Sequence, residues 1–141
     1  MHFRSLASIL LFSLLAMTAA RAVKVDWPGR AESESTHIVV GTVTAIYSKI
    51  TRDESYETTH CLAEVRIESV EKGDGLKADE IVCVRYIGSM RWIGKEGLPM
   101  EGPHRNVPKE GEKLKICLVQ NADKSLDVYY ISGFKKLEPP K

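Results

Sequence analysis

Five short segments rich in β-branched and other apolar residues constrain the fold of this chain more than any other feature. The clearest pattern lies between residues 61 and 68, where Cys61, Ala63, Val65 and Ile67 alternate with neighbours that are mostly charged. A period of two residues is typical of a β-strand with one buried face. The other segments with a strand-like composition are residues 37–47, 81–87, 113–119 and 127–134.

These segments predict a chain of hairpin-connected strands, with no long amphipathic helix and no internal repeat. Gly41 lies inside the first segment, where a glycine favours a bulge or a sharp bend of the kind that closed barrels require. Five antiparallel strands bury one face each either by sandwiching or by closing on themselves, and closure also removes exposed edges. We therefore predict an all-β fold, a small five-stranded, partly closed antiparallel barrel.

The stretch from residue 88 to residue 112 interrupts the strand pattern with five glycines and three prolines. That density excludes a long helix and predicts an irregular loop between strands 3 and 4, with a short hairpin around residues 90–93. Irregular loops of this length are uncommon in compact domains and are often functional.

Basic and aromatic side chains are concentrated in and beside this loop. Aromatic residues and arginine are enriched in interfaces because they combine a large contact area with directional donors. The alternative is a solvated loop with Trp92 folded back as a lid on the end of the barrel. The first interpretation predicts a binding surface formed by Arg85, Tyr86, Arg91, Trp92, Lys95, Arg105 and Lys109.

The amino-terminal 22 residues have the pattern of an export signal. A short basic start precedes an apolar run at residues 9–17, and Ala20, Arg21 and Ala22 supply the small-residue pattern of a signal-peptidase site. The run is too short for a stable membrane anchor. We expect a signal peptide at 1–22 and one secreted or periplasmic domain at 23–141.

The charge balance bears on the class of partner. Loss of Arg4 and Arg21 with the signal peptide lowers the basic count from 20 to 18, against 19 acidic residues. A chain this close to neutral lacks the positive charge with which proteins neutralise phosphates. We expect a protein or a polysaccharide as partner, and no nucleic acid.

Three cysteines, Cys61, Cys83 and Cys117, occur in a chain expected in an oxidising compartment. Each lies in an apolar segment, so three buried thiols are one alternative. The other is a single disulfide that leaves one thiol free. Strand alternation places Cys61 on a core-facing side, while both neighbours of Cys83 are apolar. If one bridge forms, we expect it between Cys61 and Cys83, because consecutive antiparallel strands bring Cβ atoms close together.

The residues that carry metal or catalytic chemistry form no recognisable motif. His60 and Cys61 are adjacent, and neighbours on a strand point to opposite faces, so they cannot bind one ion without a bulge. Cysteine, histidine and acidic residues share no local signature, and the GxSxG motif of serine hydrolases is absent. We expect no metal, no cofactor and no enzymatic activity.

Three stretches resemble the netrin-like modules of the tissue inhibitors of metalloproteinases and their bacterial secreted relatives. These are residues 36–43, the stretch 65–73 with its Lys-Gly turn, and residues 108–118 with a Gly-Glu entry into an apolar strand. The resemblance covers most of residues 31–137 and implies a five-stranded OB-type barrel. Those inhibitors chelate zinc through a cysteine at the mature amino terminus, whereas this chain has no cysteine before Cys61. Their zinc-chelating mode of inhibition is therefore not implied.

These observations favour a secreted, non-enzymatic module that binds a protein or polysaccharide through the loop at 88–112. Two alternatives remain open. One is an inhibitor of a secreted hydrolase that acts without a chelating cysteine, and the other is a structural factor of the cell envelope.

Overall fold

The computed structural model describes residues 29–94 and 103–139. The expected signal peptide lies outside these residues. A short helix precedes six strands, so the all-β prediction is confirmed. The elements in chain order are α1 (Arg30–Glu34), β1 (His37–Arg52), β2 (Tyr56–Lys72), β3 (Ile81–Trp92), β4 (Lys113–Gln120), β5 (Leu126–Val128) and β6 (Phe134–Lys136).

The strands form one sheet that closes into a ring of five in the order β1-β2-β3-β5-β4, with β4 returning to β1. Four of these pairings are antiparallel, but β5 runs parallel to β3. The expectation of wholly antiparallel strands is therefore wrong at this pairing. The segment 127–134 is also not one strand, because a turn separates β5 from β6. Strand β5 pairs with residues 118–120 of β4, and β6 pairs with residues 114–116 of the same strand.

Alternate residues of the ring strands point inward and form the main hydrophobic core. The predicted inward faces of the second and fourth strands are confirmed, with Ala63 and Ile116 among their fully buried side chains. The core consists of Val39, Val43, Ala63, Val65, Ile67, Val82, Val84, Tyr86, Leu114, Ile116, Leu118, Leu126, Val128 and Phe134.

Gly41 marks an irregularity in β1, as its sequence position predicted. The register of β1 against β2 shifts between Val40 and Gly41. A Cβ atom at Gly41 would lie 2.6 Å from the carbonyl oxygen of Arg66, so the two backbones approach more closely than any side chain permits. Glycine is therefore required at this register shift, where β1 approaches β2 closely.

Helix α1 covers a second, smaller apolar cluster on the outer side of the ring. Ala31 packs there with Ile38, Cys117 and Tyr129, and the Tyr129 hydroxyl donates a hydrogen bond to Glu34. Within residues 29–94 and 103–139, no helix combines the length and apolar character needed to cross a membrane.

Strands β1, β2 and β3 extend well beyond the closed part of the ring. Pairing of β1 with β4 ends at Thr42, whereas its pairing with β2 continues to Arg52. The irregular segment also begins later than predicted, because β3 continues past Gly88 to Trp92. At this end of β3, Trp92 pairs with Tyr56 of β2, so the backbone there is hydrogen-bonded within the sheet. The glycine content had predicted a loop at these residues.

Candidate functional site

A cleft of about 720 Å³ lies where the three extended strands leave the ring. Its strand side is a patch of three consecutive residues from each of β1, β2 and β3, aligned by the strand register. The remaining lining comes from His104 and from residues at and after β5. The complete lining is Tyr47, Ser48, Lys49, His60, Cys61, Leu62, Arg85, Tyr86, Ile87, His104, Asp127, Val128 and Tyr130.

The central row of this patch joins Ser48, Cys61 and Tyr86, which lie opposite one another on β1, β2 and β3. Tyr86 is 4% exposed, and its hydroxyl has no hydrogen-bond partner among the described residues. Burial, assisted by the neighbouring Cys61 thiol, raises the pKa of the Tyr86 hydroxyl. The hydroxyl is therefore neutral at ordinary pH and lies enclosed beside the Cys61 thiol.

His104 forms the part of the cleft wall that lies beside β3 and β5. Its Nδ1 accepts a hydrogen bond from the Ile87 N–H at 3.0 Å, so Nε2 carries the proton and donates to the Val128 carbonyl at 3.1 Å. The ring also makes edge-on contacts with Tyr130 and Phe134. Burial lowers the pKa of His104, which favours the neutral imidazole. With both nitrogens engaged, His104 holds the wall together and is not positioned to transfer protons.

Gly88 allows the sulfur of Cys61 to occupy its place beside the cleft. Thr59 pairs with Ser89 and His60 with Ile87, so Gly88 is the extra residue of a bulge in β3. A Cβ atom at Gly88 would lie 2.7 Å from the Cys61 Sγ atom. Sequence reasoning noted Gly88 only as a strand breaker, although a glycine inside a strand also signals a bulge.

Charged groups of the cleft lie at its rim. The Arg85 guanidinium donates to Asp127 at 2.6 Å and to the Ser125 hydroxyl at 2.8 Å. The Tyr47 hydroxyl donates to Glu64 at 3.3 Å. Lys49 forms no ion pair within the described part of the chain, so its ammonium group is an uncompensated positive charge on the rim.

The residues of the predicted binding surface fall into separate places. Arg85 and Tyr86 line the cleft. Arg91 and Trp92 lie about 20 Å further along β3, since a strand advances about 3.3 Å per residue. There Arg91 pairs with Glu57 at 3.0 Å, and Trp92 packs edge-on against Tyr56 with ring centroids 5.1 Å apart.

The remaining members of that surface come from the segment before β4. Arg105 and Lys109 are exposed. The backbone N–H of Arg105 donates to the Ile131 carbonyl. Lys95 lies outside the described residues. The sequence thus identified two residues of the cleft and missed its remaining lining, which the strand register brings together from distant positions.

All three cysteines are free thiols. Cys61 pairs with Tyr86 and faces the interior, whereas Cys83 pairs with Glu64 and is exposed on the outer face. The proposed bridge between Cys61 and Cys83 is therefore wrong, because successive strand positions alternate between faces. The expectation of burial holds for Cys117, where burial raises the pKa of the thiol.

No group of three histidine, cysteine or acidic side chains that could hold a metal ion occurs among residues 29–94 and 103–139. The cleft instead combines mostly apolar walls with a few polar groups, among them the Ser48 hydroxyl and the Cys61 thiol. Concave apolar sites with a few directional polar groups are typical of ligand-binding sites.

Comparisons with known proteins do not assign the chain to a family. No family model matches it, and neither a curated protein nor a solved structure is significantly similar to it. Any inference about function therefore depends on the geometry of the chain's own residues.

Proposed function

We propose that this protein is a secreted, non-enzymatic binding module whose ligand site is the cleft on β1, β2 and β3. The observation that carries the proposal is the cleft itself, a concavity of about 720 Å³ lined by residues of all three extended strands. Concave, mostly apolar sites with a few directional polar groups are typical of ligand-binding sites.

The arrangement of the strands supports an OB-like interpretation of the ring. The order β1-β2-β3-β5-β4, closed by β4 on β1, is combined with a parallel β3–β5 pairing. OB-folds bind oligonucleotides and oligosaccharides on the face of strands 2 and 3. The cleft lies on β2 and β3, although fold alone does not fix function. The near-neutral chain favours a protein or polysaccharide over nucleic acid.

The segment at 88–112 keeps a role in this proposal. His104 comes from that segment and forms a wall of the cleft. Arg91 and Trp92 form a second group of interface-type residues away from the cleft. The cleft and the end of β3 are therefore alternative binding surfaces, and one experiment can distinguish between them.

Selective labelling of cysteines tests the cleft directly. In a Cys83→Ser variant the thiol to label is Cys61, which lines the cleft, because Cys117 is buried. A benzyl methanethiosulfonate label on Cys61 would fill part of the cleft. We expect retention of the mature chain on cell-envelope fractions to fall about tenfold, and a reductant that removes the label to restore it.

The matched control is a Cys61→Ser variant labelled at Cys83, on the outer face of the same sheet. We expect this variant to be retained as the unlabelled protein is. Equal retention after labelling at Cys61 would contradict the proposal. Loss of retention in Arg91→Ala and Trp92→Ala, with no effect of the Cys61 label, would place the binding surface at the end of β3 instead.

A further inference from the structure

The outer edge of β1 lacks a neighbouring strand where β1 extends beyond the ring. Val43 completes its hydrogen bonds on that side with the backbone of Gly111 and Glu112. Beyond it, the N–H of Ile46 points away from β2 and donates to the Glu110 carboxylate at 3.1 Å. Ile46 is therefore the last residue on that edge whose backbone has a partner among the described residues.

The alternation of antiparallel pairing identifies the peptide groups that follow on the same edge. From Ala45 to Arg52 the register of β1 against β2 is uninterrupted, so every second residue turns its N–H and C=O away from β2. Counting from Ile46, these residues are Ser48, Ile50 and Arg52. Their outward backbone groups have no partner in the described ranges 29–94 and 103–139.

This edge carries large apolar side chains that are open to solvent. Ile50 is 61% exposed and Tyr47 is 56% exposed. Exposed edges with apolar side chains pair readily with another strand, and natural proteins usually protect such edges with charges, prolines or bulges. Lys49 is the one charged residue between Tyr47 and Ile50. Whether it protects the edge depends on the charges that a second strand would bring.

The edge itself provides charges of both signs. Neither Lys49 nor Glu110 forms an ion pair within the described part of the chain. The surroundings of Tyr47 are acidic, because its hydroxyl donates to Glu64 at 3.3 Å and the carboxylates of Glu64 and Glu110 both raise its pKa. The positive group thus lies two residues beyond the acidic one. Such an edge is complementary to a second, antiparallel copy of itself.

We propose that two copies of this chain associate through the outer edges of β1, paired as antiparallel strands about a two-fold axis at Ser48. In this register Ile46 lies opposite Ile50 of the second copy, and Tyr47 lies opposite its Lys49. The Ile46 N–H would exchange the Glu110 carboxylate for the Ile50 carbonyl of the second copy. Glu110 would then pair with Lys49 of that copy.

Neighbouring registers bring like charges together. A two-fold axis at Lys49 would place the two copies of that residue directly opposite each other. An axis at Ile50 would place Glu54 of one copy opposite Ile46 of the other, beside Glu110. The axis at Ser48 avoids both contacts. Because Ser48 also lines the cleft, the joined sheet would continue from the strand side of one cleft into that of the other. The inference does not depend on what the cleft binds.

Sedimentation equilibrium of the mature chain tests the association. About five paired residues in each copy form an interface at the small end of the usual range, so we expect a Kd in the micromolar range. A chain that remains monomeric up to about 100 µM would overturn the proposal.

Charge reversal tests which groups meet. Lys49→Glu and Glu110→Lys should each weaken association about tenfold, because each places like charges together at two symmetric positions. An equimolar mixture of the two variants should restore the dimer, since each copy then supplies the charge that the other lacks. Lys77→Glu, at an exposed position away from this edge, is the control and should leave association unchanged. A mixture that associates no better than either variant alone would overturn the proposed pairing.

Oxidative cross-linking tests the position of the axis. Hydrogen-bonded partners in antiparallel strands have Cα atoms about 5.5 Å apart, within the reach of a disulfide. In a chain with Cys61→Ser and Cys83→Ser, the variant Ser48→Cys should form a covalent dimer when copper phenanthroline oxidises the two thiols. Thr51→Cys is the control, because its two copies would lie about 20 Å apart in this register. Cross-linking at Thr51→Cys, with none at Ser48→Cys, would overturn the two-fold axis at Ser48.

Discussion

Tyr86 stabilises the core with its ring and leaves its hydroxyl without a partner among the described residues. The ring packs edge-on against Phe134 with centroids 5.0 Å apart. The hydroxyl gains no hydrogen bond that would offset its burial. A buried hydroxyl without such a bond contributes little to the stability of the folded protein.

Tyr86→Phe should therefore leave the free energy of unfolding unchanged or raise it by up to about 1 kcal/mol, because the unpaired hydroxyl is removed. Urea unfolding of the mature chain measures this value. Tyr129→Phe is the control, since Tyr129 is also buried but donates to Glu34, and we expect a loss of about 1 kcal/mol. An equal loss in both variants would show that the Tyr86 hydroxyl has a stabilising partner.

His104 should make stability depend on pH. Burial lowers the pKa of His104 in the folded chain below its ordinary value of 6.5. At pH 7.5 the imidazole is largely neutral in both states. As the pH falls below 6.5, the unfolded chain gains a proton that the folded chain resists, so stability decreases until the folded pKa is reached.

Urea unfolding at a series of pH values from 7.5 to 5 checks this expectation. His104→Gln should flatten the pH dependence in that range, since it removes the titrating group. His60→Gln, at an exposed histidine, should retain the dependence because it keeps His104. A dependence that is unchanged in His104→Gln would contradict the assignment.

At the scale of elements, the close approach of β1 to β2 at Gly41 should tolerate no side chain there. Gly41→Ala places a methyl group against the Arg66 carbonyl, which is backbone and cannot turn away. We expect a loss of about 1–3 kcal/mol in the free energy of unfolding. Ser69→Ala, at an exposed position of β2, should change it by less than about 0.5 kcal/mol. A Gly41→Ala variant as stable as Ser69→Ala would contradict this expectation, because it would mean that β1 and β2 can move apart at Gly41 without a loss of stability.

Apolar alternation predicted the buried parts of the strands and failed at their ends. Ala63, Val65 and Ile67 carry a clear period of two because one face enters the core. Residues 48–59 lie beyond that core, where polar and charged residues predominate and the paired strands carry no apolar alternation in the sequence. The sequence also carries no signal for the parallel pairing of Val84 with Leu126, because that pairing depends on how the ring closes.

At the scale of the whole molecule, the candidate site results from unequal strand lengths. The closed ring ends while β1, β2 and β3 continue, and their inner surface is left uncovered by β4 and β5. Sequence reasoning named Arg85 and Tyr86 because of their residue types. It could not place Ser48 and Cys61 beside Tyr86, since that requires the register between three strands.

The central claim is that this uncovered surface is where the partner binds. Amide hydrogen exchange of the mature chain, with and without a captured partner, tests it most directly. We predict slower exchange at residues 47–49, 60–62 and 85–87, the segments of β1, β2 and β3 that form the strand side of the cleft. Protection confined to residues 91–92 and 105–109, with exchange in those three segments unchanged, would contradict it.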